Sequence, residues 1–140
     1  MVTIPTVLYS GQTYTTGGRS GAVRSHDGKL DVRLSPPGAP GEGTNPEQLL
    51  AAGWSSSLIG TLRHASQAHR IPFPSDAAIA AEVSLAHGAL GFFLQARFEV
   101  SLPGMDPEIA LMLIDAAKEN CPYSKAMRSN ISIAITLAGN

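Results

Sequence analysis

Of 140 residues one is a cysteine, Cys121, and it is the chain's single thiol. It stands immediately before Pro122, where one helix closes and a short helical turn can open. A helix start lowers the pKa of a thiol and exposes its sulfur, so one reading of Cys121 is a redox thiol at such a start. The other reading is a small buried hydrophobe, the commoner fate of a free cysteine. A lone thiol can form no internal disulfide, which fits a reducing compartment or a protein without redox chemistry. Ser55 and Ser57 follow Gly53 in a pattern close to the nucleophile elbow Gly-x-Ser-x-Gly. The closing glycine is absent, however, and the stretch falls inside a helix rather than at a strand-to-helix turn. His64 lies two helical turns beyond Ser57, about 10 Å along the axis, too far to act as its base. Serine hydrolysis is therefore a poor fit. His26, His64, His69 and His87 include no pair at the i, i+4 spacing of a helical zinc site, and no glycine loop is suited to a phosphate. The expectation is neither a metal nor a cofactor. Arg19, behind Gly17 and Gly18, and Glu47, after Pro46, have a plain reading as a turn cation and a helix-start anion.

The elements that must position these side chains are readable from period and punctuation. Val7-Leu8-Tyr9 reads as a first short strand, followed by a hairpin-like pair whose second strand alternates Leu30, Val32, Leu34 behind a turn at Asp27-Gly28. The Pro- and Gly-rich stretch from Ser35 to Gly43 is a surface loop. Thr44 or Asn45 can then cap a helix with Pro46 at its first position and Glu47 at its positive end, running to about His69. Its mixture of Leu, Ile, Ala, Gly and Ser predicts burial on much of its circumference. Pro72 and Pro74 close it, and Ile79 to Ala86 with Phe92 to Leu102 read as a hairpin around His87-Gly88. Asp106 and Pro107 start a second apolar helix over Glu108 to Asn120, a helical turn spans Tyr123 to Arg128, and Ile131, Ile133, Ile135 and Leu137 alternate as a last strand.

The expected order is β-β-β-α-β-β-α-β, an α+β fold in a single domain over residues 1–140. Two apolar helices in so short a chain leave surface that a homodimer would cover. Ten basic against eleven acidic residues give a formal charge of −1, which suggests neither nucleic acid nor membrane as a partner. The N-terminus lacks a basic region followed by a long apolar run, so the expected location is cytoplasmic. Phe92, Phe93, Phe98, Trp54, Leu58, Met105 and Met127 are mostly core candidates, of which two or three are expected to line an apolar pocket.

Four stretches in order along almost the whole chain, Thr15 to Gly21, Gly43 to Leu49, Ala51 to Gly60 and Asn120 to Ser124, resemble the Ohr/OsmC family of thiol peroxidases, the organic hydroperoxide resistance proteins. The resemblance implies an OsmC-like fold with β-sheets around two long central helices and an intertwined homodimer with its site between subunits. It further implies reduction of organic hydroperoxides by a cysteine pair, with electrons from a lipoyl-type dithiol on partner proteins. An arginine and a glutamate attend the peroxide-reactive cysteine in that family, and a second cysteine resolves the oxidised product. Those roles fall on Arg19, Glu47, position 57 and Cys121. Position 57, four residues after Gly53, is a serine. A hydroxyl lacks the polarizability and the accessible pKa of a thiol, so Ser57 can form neither a sulfenic acid nor a disulfide. The serine reads as a Cys-to-Ser replacement that leaves the chain inactive. The alternative is a non-catalytic binding or sensing protein for apolar small molecules. Ten residues of straight helix rise about 15 Å, so Glu47 cannot touch residue 57 of its own chain directly. Arg19 bridges the gap, the helix bends, or Glu47 serves the partner's site.

Overall fold

The computed structural model describes residues 3–139. Contacts divide the chain into two compact units, residues 1–46 and 47–140.

In the first unit three short strands, β1 (Thr13–Thr16), β2 (Ala22–Ser25) and β3 (Asp31–Arg33), form an antiparallel sheet in that order. Val23 lies opposite Val32. The β2–β3 turn is held by polar groups of its own. The Ser25 hydroxyl donates to the Asp27 carboxylate at 2.6 Å, and the Lys29 N–H donates to the same carboxylate at 3.0 Å. Gly28 takes a left-handed φ of 72°, which its missing Cβ permits. Among the described residues the expected first strand at Val7-Leu8-Tyr9 is absent: the chain is irregular from Thr3 to Gln12, and its first cross-strand bond is the His26 N–H donated to the Gln12 carbonyl at 2.9 Å. Alternation stabilises a strand only where one face is covered, and Val7, Leu8 and Tyr9 are all exposed. A short 3₁₀ turn over Gly18–Ser20 joins β1 to β2 and carries Arg19.

The second unit contains α1 (Pro46–Ala68), the hairpin β4 (Ala78–Gly88) and β5 (Gly91–Ser101), α2 (Pro107–Asn120), α3 (Pro122–Met127) and β6 (Ser132–Leu137). β5 is central, antiparallel to β4 and parallel to β6. The register sets Ala81, Phe98 and Ile135 in one row across the sheet, with Val83, Ala96 and Ile133 in the next and Ile79, Val100 and Leu137 on the other side. Side chains two apart share a face, so these rows make a continuous apolar surface. It packs against Trp54, Leu58 and Leu62 of α1 and Ala110, Leu113, Ile114 and Ala117 of α2. The chain is thus α+β with two three-stranded sheets.

Burial of α1 is narrower than its composition predicts. Only Trp54, Leu58, Leu62 and Ser66 are fully buried, a single i, i+4 stripe, whereas Ala52, Ser56 and Gly60 are exposed. Small residues are compatible with burial without requiring it. The helix ends one residue before His69, where Arg70 adopts φ 55° and the Ile71 N–H returns to the Ser66 carbonyl. That is a left-handed stop completed by Pro72.

Helix α2 starts as its sequence demands. The Asp106 carboxylate accepts from the Glu108 N–H at 2.9 Å and more loosely from that of Ile109, with Pro107 at the first position. Asp106→Ala is expected to cost about 1 kcal/mol of stability in urea unfolding, with Asp106→Asn largely retaining it.

Candidate functional site

Ser55, Ser56 and Ser57 are consecutive on α1, but their hydroxyls behave differently. Those of Ser55 and Ser56 donate back to the helix carbonyls of Ala51 and Ala52 at 2.7 and 2.6 Å. The Ser57 hydroxyl instead leaves its helix and meets the sulfur of Cys121 at 3.7 Å, across 64 residues of sequence. Position explains the difference. Ser57 lies three residues after Trp54 and one before Leu58, on the flank of the buried stripe. Residues spaced by three or four share a helix face, so its side chain is turned toward the core edge.

Cys121 reaches the same point from the other side. It continues the buried line of α2 formed by Ala110, Leu113, Ile114 and Ala117, and its backbone N–H still bonds the Ala117 carbonyl. It is also the capping residue of α3, with Pro122 at the first helical position. Burial is complete. The helix-start reading therefore describes its backbone, and the small-hydrophobe reading describes its exposure. Burial alone would raise the thiol pKa. The polar groups around it, those of Ser124 first and then the Ser57 hydroxyl and the Tyr123 backbone, outweigh it and leave Cys121 below the ordinary thiol value.

A second layer supports the sulfur. Trp54, fully buried, donates its indole N–H to the Ser124 hydroxyl oxygen at 3.0 Å. Its ring packs against Phe98 of β5 with centroids 4.8 Å apart. Tyr123 leans over α1 one turn before Ser57, where its hydroxyl would lie 3.5 Å from a Cβ built on Gly53. Ser124 and Tyr123 carry no role in the sequence reading. The available signal was spacing: Ser124 stands three residues beyond the capping Cys121, within the first turn of α3.

The remaining candidates fall on several elements. Arg19 belongs to the first unit and Glu47 to the first turn of α1, and each engages an interaction partner. Of the apolar candidates, Trp54, Leu58, Phe98 and Met105 are core, while Phe92 and Phe93 are exposed at the end of the β4–β5 hairpin. All four histidines are exposed. Among the described residues no three His, Cys, Asp or Glu side chains gather as a metal site would require, and no helix is long and apolar enough to cross a membrane.

Residues 39–136 match the sequence model of the OsmC-like protein family. The chain belongs to that family. This OsmC-like chain is 39% identical to the organic hydroperoxide resistance protein of Xanthomonas axonopodis pv. citri, over 94% of its own length and 96% of the relative's. Its fold is similar to the crystal structure of the organic hydroperoxide resistance protein OhrB of Bacillus subtilis, with a TM-score of 0.89 and 36% identity over 94% of this chain and all of that one. An organic hydroperoxide resistance protein from Elizabethkingia anophelis gives a TM-score of 0.87 at 33% identity, over 96% and 99% of the two chains. The OsmC-like fold expected from the four sequence stretches is the fold observed.

Proposed function

We propose that the site is built for two-thiol reduction of organic hydroperoxides, with residue 57 as the peroxide-reactive position and Cys121 as the resolving thiol. Ser57 then leaves this chain inactive. The observation that supports the reading most directly is the 3.7 Å approach of the two side chains, one from α1 and one from the α2–α3 junction. A sulfur at position 57 would be within a small rotation of Cys121, as disulfide closure requires. The names of the relatives above support the substrate class.

In the cycle a thiolate at 57 attacks the outer peroxide oxygen. The O–O bond breaks, the alkoxide takes a proton to leave as an alcohol, and the sulfur becomes a sulfenic acid. The Cys121 thiol attacks that sulfur, forming the disulfide and releasing water. A lipoyl-type dithiol then returns two electrons and two protons by exchange. Arg19 is assigned to stabilise the thiolate and the departing alkoxide, since a guanidinium stays charged, and Glu47 to hold it by a bidentate pair. An apolar surround at the site would favour alkyl or fatty-acyl substrates.

A homodimer belongs to this reading. Ile109, Leu111 and Met112 on α2 and Leu85, Phe92 and Phe93 on the hairpin are exposed apolar side chains, more than a solvated monomer usually leaves uncovered. Sedimentation is expected to give a dimer at micromolar concentration, and a monomer there would count against a shared site. Cytoplasmic location is part of the same proposal, because the cycle runs on reduced thiols.

Ser57 itself favours a second reading, a non-catalytic protein that binds apolar small molecules at the same place. Hydroperoxide consumption by the Ser57→Cys protein with a dithiol separates the two: turnover supports the enzyme, and its complete absence supports the binder.

A further inference from the structure

Two side-chain contacts tie α1 to the start of α3, and they share one spacing. Trp54 donates to Ser124 at 3.0 Å, and Ser57 meets Cys121 at 3.7 Å. The partners on α1 are three residues apart, and so are those on the α3 side, in the opposite chain order. A separation of three places side chains on one face of a helix, about one turn apart. The two contacts are therefore neighbouring rungs between the same two surfaces. Each side is held over that turn: Trp54 and Ser57 lie within the 23-residue α1, while the Lys125 and Arg128 N–H groups bond the Cys121 and Ser124 carbonyls at 2.9 and 2.8 Å. Fixing one rung fixes the other.

The rungs differ in strength. Oxygen and sulfur 3.7 Å apart make a weak contact, which cannot hold two elements in place. The Trp54 rung is short and buried at both ends, and it has one geometry, since an indole N–H only donates and the Ser124 oxygen accepts. Phe98 braces the indole, its ring centroid 4.8 Å away. Apolar packing alone lets one surface slide on another; a directional bond does not.

We propose that Trp54 and Ser124 are positioning residues, a pin that sets the register of α3 on α1 and so holds Cys121 within reach of residue 57. The inference rests on the two-thiol reading for its use. In that reaction the Cys121 sulfur bonds to the sulfenic sulfur at 57, the S–O bond breaks, and the oxygen leaves as water with the proton of the thiol. The sulfur at 57 is reduced as Cys121 is oxidised, and no further reductant enters the step. The pin takes no part in the bonds made or broken. It raises the effective concentration of one sulfur at the other.

The Ser57→Cys protein tests the pin without peroxide, because residues 57 and 121 are then its only thiols. In mixtures of reduced and oxidised glutathione the two protein thiols give two electrons and two protons to oxidised glutathione, yielding the 57–121 disulfide and two molecules of reduced glutathione. The equilibrium constant of that exchange, read by mass after acid quenching, measures the effective concentration of one thiol at the other. Added to Ser57→Cys, Trp54→Phe and Ser124→Ala are each expected to lower it roughly three- to tenfold, the scale of one buried hydrogen bond. Combined, they should lower it no further than the more damaging of the two alone, since both remove the same bond. Asp106→Ala weakens the opposite end of α2 from Cys121 and is expected to leave the constant unchanged, which separates register from general stability. A constant that either Trp54→Phe or Ser124→Ala leaves unmoved overturns the pin. So do losses that multiply in the combined variant, or an equal loss in Asp106→Ala. Should Trp54→Phe fail to fold by circular dichroism, Ser124→Ala against Asp106→Ala decides. A disulfide that responds to the pin in a protein that consumes no hydroperoxide sinks the peroxidase reading and retains the pin. Peroxide turnover with a constant indifferent to Trp54 and Ser124 does the reverse.

Discussion

The Ser57→Cys protein is expected to reduce an alkyl hydroperoxide, in the presence of a dithiol, roughly 10⁴-fold or more faster than the parent chain, the scale on which removing a nucleophile silences an enzyme. The substitution changes one atom, and the difference lies in what that atom can do. Oxygen at this position holds its proton throughout the accessible pH range, whereas a sulfur can ionise near neutrality and its anion attacks peroxide oxygen. The surrounding structure already accommodates the side chain, which is half-buried on the flank of α1 rather than wedged into the core. A sulfur there faces Cys121 along the line now taken by the 3.7 Å contact. Peroxide loss in a coupled or direct assay checks the rate. Mass spectrometry of the same sample should find two hydrogens missing once peroxide has been spent without dithiol, the mark of a 57–121 disulfide. Restored consumption without that mass loss would retain residue 57 as nucleophile and remove Cys121 from the resolving role.

Much of this arrangement was legible in the sequence because its signals are local. Pro46 and Asp106-Pro107 start the two long helices where caps and fixed φ dictate, and strict alternation in Ile133, Ile135 and Leu137 marks the strand that completes the sheet. The pairing of residue 57 with Cys121 followed from motif resemblance; no local pattern carries a contact across 64 residues. The failures have the opposite character. Val7-Leu8-Tyr9 has the composition of a strand but no partner in its unit, and strand formation is decided by the partner. Burial of α1 was overestimated because Ala52, Ser56 and Gly60 are silent about their surroundings, being equally at ease in a core and on a surface. Ser124 went unassigned because its role arises from Trp54, distant in sequence, arriving with an N–H that must donate.

The row Ala81, Phe98 and Ile135 carries the largest expected loss of stability. Phe98 is completely buried at the middle of the central strand, with its ring tilted against Trp54 at 4.8 Å. Phe98→Ala removes that ring from a core packed on both sides, and the cost has two parts: the lost transfer of aromatic surface from water and the cavity that remains. Together they amount to about 3–5 kcal/mol, a large share of the roughly 5–15 kcal/mol by which a domain is ordinarily stable. Urea unfolding at one fixed protein concentration is the measurement, since a dimer's midpoint depends on concentration. The midpoint should fall steeply while its slope stays near the parent value. Phe98→Leu, which keeps most of the volume, should lose less than half as much. A loss below about 1 kcal/mol for Phe98→Ala would mean that neighbours collapse into the space, which is incompatible with a rigid floor under Trp54. The two halves of the molecule's design meet here. Trp54 can aim its N–H at Ser124 only while Phe98 holds the indole in place, so a packing defect in the sheet should also loosen the 3.0 Å bond that ties α1 to α3.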